Sequence, residues 1–180
     1  MKQVKRFFCL LLVLGLLLAF PAGCTPKRET GGVKDGRIGQ TIKTYFFSFV
    51  VEEAYLCSDY AGHIPKEGME ILVARVTVTN TGNKSIPMAD MDFQAQWDDE
   101  SEDAFAVPIT MDPATKKEIA AVSEEQLPYE YDLAPGETRS GDLVFDIPSG
   151  CSNLSVSTAD TFENGTKGDS YFVFFDPDVR

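Results

Sequence analysis

From Lys43 onward, apolar and polar residues alternate with a period of two, and this pattern alone restricts the chain to β-structure. The run from Glu70 to Asn80 shows it most cleanly. Leu72, Ala74, Val76 and Val78 point one way, and Arg75, Thr77 and Thr79 the other, as in an antiparallel strand with one solvated face. Lys43 to Tyr55 sets Tyr45, Phe47, Phe49 and Val51 against Phe46, Ser48, Val50 and Glu52. Two rather apolar faces read as a strand between layers. Further strands are read from Met91, Phe93, Ala95 and Trp97, from Leu143, Phe145 and Ile147, from Leu154, Val156 and Thr158, and from Tyr171 to Phe175. Phe105, Val107 and Ile109 give a shorter one that Pro108 places at an edge or a strand end. Thr81-Gly82-Asn83, Ala134-Pro135-Gly136-Glu137 and Asn164-Gly165 are turns. About seven to eight strands separated by turn chemistry describe an all-β, antiparallel sandwich over residues 38–180.

One stretch breaks the pattern. Met111 to Tyr131 is acidic and irregular, with Asp112-Pro113 placed to start a short helix through about Val122. It reads as a long excursion at one end of the sandwich. Such loops on a rigid β scaffold carry binding function, or are tolerated insertions. Lys116, Lys117, Glu124, Glu125, Tyr129 and Tyr131 are its exposed-capable groups, and the two tyrosines are the candidate partner contacts.

The N-terminus sets the compartment. Lys2, Lys5 and Arg6 precede an uncharged run from Phe7 to Phe20, then Ala22-Gly23 and Cys24, the layout of a signal peptide over residues 1–23. The run falls short of the roughly 20 residues that span a bilayer. Ala22-Gly23-Cys24 resembles the lipobox of bacterial lipoproteins, with Pro21 where that family usually has Leu. The resemblance implies a diacylglycerol on Cys24 and anchorage to the outer face of the cell membrane. Two or three acyl chains hold firmly where one does not, each buried CH₂ contributing about 0.8 kcal/mol. Residues 24–37 then read as the lipidated cysteine and a polar, Gly-containing flexible tether.

Export changes charge and thiol counts alike. The chain has 16 basic and 28 acidic residues. The signal removes three of the basic ones and no acid, leaving 13 against 28, or −15. So acidic a surface argues against nucleic acid as a partner and against lying flat on anionic headgroups; it favours solubility. Cys9 leaves with the signal and Cys24 takes the lipid. Cys57 and Cys151 remain in a compartment that permits disulfides, either bridged or as two buried thiols. A bridge closing that loop stabilises by roughly 4 to 5 kcal/mol through loop-closure entropy.

Three segments carry a family resemblance: Ile38-Gly39-Gln40-Thr41, then Val76 to Ser85 (VTVTNTGNKS), then Leu133-Ala134-Pro135-Gly136-Glu137 through Gly141 to Pro148 (GDLVFDIP). They resemble a family of Gram-positive lipoproteins whose domain has no assigned function. The resemblance implies an immunoglobulin-like sandwich, related to a secreted mycobacterial immunoprotective antigen. It brings no catalytic residue and no cofactor.

The residues themselves show no catalytic constellation. His63 is the single histidine and lies in a loop, and neither a G-x-S-x-G elbow nor a phosphate loop is present. No carboxylate pair stands out for glycoside cleavage. The acidic run Asp98 to Asp103 has oxygen ligands of the kind Ca²⁺ takes but lacks the EF-hand pattern, and reads as a solvated hairpin tip. Trp97 shares a face with Met91 and Phe93 and reads as core. The expectation is a non-enzymatic binding module, with an envelope or host protein or a glycan as partner. A structural subunit of an envelope complex is the alternative, and an envelope hydrolase a distant third. An apolar or aromatic patch near residues 112–131 favours binding; a long uncovered edge strand favours the structural role.

Overall fold

The 11-residue strand β4 (Met69–Thr79) lies at the centre of one sheet, between β3 (Ser48–Cys57) and β9 (Thr138–Pro148). The computed structural model describes residues 31–98, 104–112 and 114–180. The signal peptide, Cys24, the acidic run from Asp99 to Asp103 and Pro113 lie outside the described residues. β2 (Ile42–Lys43) pairs with the start of β3, and β12 (Asp178–Val179) runs parallel to its end. The facing sheet has the order β1-β11-β10-β6-β7, from β1 (Val33–Arg37), β11 (Lys167–Phe174), β10 (Ser155–Thr161), β6 (Gln94–Gln96) and β7 (Phe105–Ala106). β5 (Ile86–Ala89) and β8 (Glu130–Leu133) form a separate two-stranded ribbon.

The core lies between the two sheets, and the alternation explains its membership. Leu72, Ala74, Val76 and Val78 of β4 meet Phe49 and Val51 of β3 and Leu143, Phe145 and Ile147 of β9. Phe93, Ala95, Leu154, Val156, Tyr171 and Val173 face them from the other sheet. Phe93 stands edge-on to Phe47 and Phe49 at 6.0 and 5.4 Å, a favoured aromatic geometry. Trp97 packs half-buried against this core, as its register suggests. In β3 the alternation fails at Glu52-Glu53, where both residues are exposed. A bulge between Val51 and Glu53 absorbs the extra residue and returns Ala54 to the core.

β4 differs along its length. Its C-terminal half is half-buried, with Thr77 and Thr79 hydrogen-bonded across the strands to Ser140 and Thr138. Its N-terminal half is buried on both faces. Ile71 and Val73, on the face away from the core, pack with Val144 and Tyr60 in a second cluster.

Several sequence expectations are corrected. Residues 33–37 are not tether: β1 pairs in parallel with β11, extending the sheet by one strand. With β12 on β3, this gives the sandwich two parallel pairings. Lys43 to Tyr55 is not one strand, because Thr44 Oγ1 accepts from the N–H groups of Phe46 and Phe47 and turns the chain. Met91 is exposed in a 3₁₀ turn (Asp90–Asp92) rather than in a strand. The short helix from Asp112 does not form. Asp112 Oδ1 accepts from Ala114 and Thr115 N–H, closing a tight turn with Lys116 at a φ of 57°. β5 and β8 are too short and mixed in polarity to announce themselves. Cys57 and Cys151 are not joined to each other. Cys57 packs with the second cluster and Cys151 against the main core.

The resemblance motifs meet at one buried residue, Asn80. Its Nδ2 donates to Leu133 O and Lys84 O at 2.9 and 2.8 Å, and its Oδ1 accepts from Gly82 N–H at 2.8 Å. Its own backbone pairs with Glu137 and Gly136 in the turn before β9. Asn80→Ala leaves the Gly82 N–H and Lys84 carbonyl unpaired and takes one donor from Leu133. The expected loss is about 1–3 kcal/mol, the cost of one buried hydrogen bond and its desolvated partner, because Gly82 and Lys84 are exposed and regain water. It is read as a lower urea midpoint at unchanged slope. An unchanged midpoint would refute the role of Asn80 as a joint.

Candidate functional site

The excursion between β7 and β8 is stitched to β9 along its free edge. Ile109 N–H donates to Val144 O at 2.9 Å, Leu127 N–H to Asp142 O at 3.0 Å, and Asp142 N–H to Glu125 O at 2.8 Å. The approach is close because residue 141 is glycine. A Cβ there would stand 2.8 Å from Leu127 N and 2.9 Å from its Cα. The excursion is therefore not a free loop. Leu127 is fully buried in the main core, and Gln126 Oε1 accepts from Val122 and Ser123 N–H to hold the approach. Arg75 reinforces it, donating to Asp142 across the strands and to Glu125 of the excursion, both at 3.0 Å. Tyr60 donates to the other Asp142 oxygen at 2.8 Å. Burial and that carboxylate hold the Tyr60 hydroxyl above its ordinary pKa.

Between this stitched segment and the loop before β4 lies a groove of about 640 Å³, within the size range of ligand sites. One wall is the run Phe105 to Ile109 with Met111, and Ile119 closes it from the far side of the 112–118 turn. Met69 contributes from the start of β4. Phe105 and Ile119 are each 45 % exposed, a large apolar area left in solvent. The opposite wall carries His63 and Asp146, with Nε2 and Oδ1 2.8 Å apart. The carboxylate can only accept, so Nε2 carries the hydrogen. A tight turn presents this imidazole: Ala61 and Gly62 both have positive φ, and Tyr60 and His63 exchange backbone hydrogen bonds. Lys66 and Lys116 complete the lining, and neither forms an ion pair among the described residues.

Beneath the excursion sits a strained polar group. Asp90 is 2 % exposed; its Oδ2 accepts from Thr110 Oγ1, and its Oδ1 has no partner among the described residues. Burial pushes its pKa up to about 6, aided by Asp92 and Glu118 and opposed by hydrogen bonds from Thr110 and the Met91 backbone.

The residues expected to act are only partly found here. Lys116 lines the groove; Glu125 is pinned to Arg75; Lys117 and Glu124 are exposed. Tyr131 does not project from the excursion as a loop tyrosine. It lies in β8, buried against the core with Arg139 over its ring. Tyr129 is half-buried, and its carbonyl accepts from Asp90 N–H. His63, Asp146, Lys66 and the Phe105 wall were not read from sequence as one site. Asp146 was legible only as an outward position of a β9-type alternation, and His63 only as the single imidazole in a Gly-containing turn. Among the described residues, no group of three or more metal-ligating side chains could hold a metal ion.

The sequence profile of a family described as a domain of unknown function, DUF4352, matches residues 36–167. Among curated proteins, none matches this sequence. Solved structures with the same fold include the yjhA protein of Bacillus subtilis, 20 % identical, covering 78 % of this chain and 99 % of that one, with a TM-score of 0.52. A candidate lipoprotein of Staphylococcus aureus is 11 % identical over 80 % of this chain and 94 % of its own, at 0.50. A further candidate lipoprotein, ycdA of Bacillus subtilis, is 12 % identical at 0.51; the match covers 74 % of this chain and only 38 % of that protein. At these identities the likeness is one of fold.

Two outcomes test the geometry. Gly141→Ala should push Leu127 off β9 and cost about 1–3 kcal/mol, as overpacking does, with faster exchange of the Leu127 amide; wild-type exchange would refute the stitching. For Asp90, the folded pKa lies above the ordinary 3.8, so the folded state holds the proton more tightly. Its contribution is greatest below about pH 4 and is lost as pH rises through 6, on the order of 3 kcal/mol. Asp90→Asn should therefore raise the thermal midpoint at pH 7.5 and remove the wild type's loss of stability between pH 4 and pH 6; an unchanged pH profile would refute it.

Proposed function

Because the chain belongs to the DUF4352 family, whose description assigns no activity, we propose its function from its own geometry: a non-enzymatic binding module, held by a lipid on Cys24 at the extracytoplasmic face of the membrane. The single observation that carries the binding reading is the apolar groove between Phe105–Met111 and the His63 turn, exposed to solvent and backed by a fixed wall. The cargo that suits it has an apolar body and a negative charge. Eight apolar residues form most of the lining, and Lys66 and Lys116, in no ion pair among the described residues, give a local attraction for an anion.

Support for the anchor comes from the Ala22-Gly23-Cys24 sequence behind the apolar run, and from structural relatives that are themselves candidate lipoproteins. Binding is favoured over a structural role because the excursion occupies the middle of the β9 edge, at Asp142 and Val144, and so interrupts the strand that a neighbouring subunit would need to pair with.

Anilinonaphthalene sulfonate, an apolar ring system with one negative charge, is the probe. Residues 31–180, which hold every described strand, should bind it saturably at one site. Ile119→Asp or Phe105→Ser should weaken binding roughly tenfold or more, since lost apolar burial of about 1.5–3 kcal/mol exceeds the 1.4 kcal/mol of one decade. Lys66→Glu should weaken it as well, and Tyr45→Ser should leave it unchanged. Affinity indifferent to Phe105 and Ile119 would overturn the proposal.

A further inference from the structure

The end of the sandwich opposite the groove carries a feature the binding reading does not use. Tyr45, Phe46 and Phe162 form an aromatic cluster, with Tyr45 edge-on to both neighbours at 5.0 Å and Phe46 5.5 Å from Phe162. Tyr45 is 71 % exposed, an unusual state for an ordered aromatic. It is nevertheless held in place. Its N–H donates to Asp160, a buried carboxylate that also accepts from Tyr171 at 2.9 Å. Phe46 roots the cluster in the main core.

The chain enters the fold at this same end. A Cβ on Gly31 would overlap the Gly168 carbonyl, and one on Gly168 would stand 3.0 Å from the Phe162 ring. Contacts thus run without a gap from Gly31 through Gly168 to Phe162 and Tyr45. Because residues 33–37 are strand β1, only seven residue steps separate Cys24 from Gly31. Seven steps reach at most about 25 Å even fully extended. An acyl anchor on Cys24 therefore keeps this end, and not the groove, beside the bilayer.

We infer that this end docks on the membrane interface, with Tyr45, Phe46 and Phe162 seated among the lipid headgroups. The inference rests on the Cys24 anchor. Aromatic side chains favour the interfacial zone, and a second contact beside a lipid chain fixes orientation. Lys43 and Lys167 flank the cluster, exposed and outside any ion pair among the described residues. Asp98, which begins the acidic run, lies at the other end, its N–H donating to Ser152. End-on docking therefore keeps the Asp98 carboxylate away from the headgroups, and it aims the groove outward, where cargo arrives.

The test uses the full lipidated protein, purified from bacterial membranes and reconstituted in phosphatidylcholine vesicles containing phosphatidylglycerol. Tyr45→Trp in a Trp97→Phe background gives one indole at the cluster. Brominated phosphatidylcholine should quench its emission and shift it to the blue, while Trp97 of the otherwise unchanged protein stays unquenched. If Trp97→Phe fails to fold, Tyr45→Trp alone should show quenching in excess of wild type. Protein that floats with vesicles but shows no quenching at residue 45 overturns the inference and leaves the anchor standing. Protein that does not float overturns both. Binding of the cluster to lipid-free peptidoglycan, lost in Tyr45→Ser, would also overturn it and assign the aromatic face to a glycan.

Discussion

The backbone contact between the excursion and the free edge of β9 is the constraint on which the rest depends. A sheet edge left bare invites pairing with another chain. Here Ile109, Glu125 and Leu127 occupy it, and the glycine at position 141 allows the approach. Both ends of the excursion are thereby fixed, one at Ile109 and one at Leu127. The residues between them cannot collapse onto the sheet or swing away, so they stand beside the outer face and leave a groove. Ile109, together with Tyr60, Tyr55 and Cys57, covers Ile71, Val73 and Val144, which would otherwise form an apolar patch on the outside of the sheet. Closing the edge and forming the groove are one event.

Polar groups fasten this arrangement at two depths. At the surface, Arg75 bridges Asp142 and Glu125; the Glu125 side chain is 69 % exposed, so that half of the bridge contributes little in water. The Asp142 half is better sheltered and shares its carboxylate with Tyr60, tying the His63 turn to the same point. Deeper, Asp90 accepts from Thr110 at the start of the excursion, yet its buried second oxygen goes unpaired. A buried group satisfied on one side only costs stability while it is charged. Apolar burial around Leu127, rather than ionic pairing, therefore carries the fastening.

Sequence periodicity revealed the frame because alternation and burial are the same fact in a strand. Leu72 to Val78 and Leu143 to Ile147 declare their inward faces directly. What it missed follows from physics that alternation does not encode. β1 is exposed along most of its length, and its side chains meet β11 through charge, Lys34 on Asp169 and Tyr171 and Arg37 over Phe174, so its VKDGR sequence carries no apolar face to detect. Tyr131 looked like a loop tyrosine because β8, four residues long, is set by its partner β5 rather than by its own pattern. The groove was legible only in part. Its location on the excursion could be read, but its opposite wall depends on a bridge between Tyr60 and His63 and on the outward side of β9, two segments brought together by tertiary contact alone.

The family motifs and the groove occupy largely different residues, and that separation bears on function. Asn80 joins the turn after β4 to the turn before β9, and Gly141 admits the excursion. Both are requirements of the frame. Of the groove lining, Asp146 alone falls within the motif segments; His63, Lys66 and the Phe105 to Ile119 residues lie outside them. The motif segments of this chain therefore hold the joints of the sandwich, and the groove is lined mostly by residues outside them. Phe105, Ile119 and Lys66 do not pack in the core between the sheets, so changing them alters the groove and leaves the joints in place. The chemistry of the groove is set by its own lining, an apolar wall with two lysines that form no ion pair among the described residues, facing His63 and Asp146.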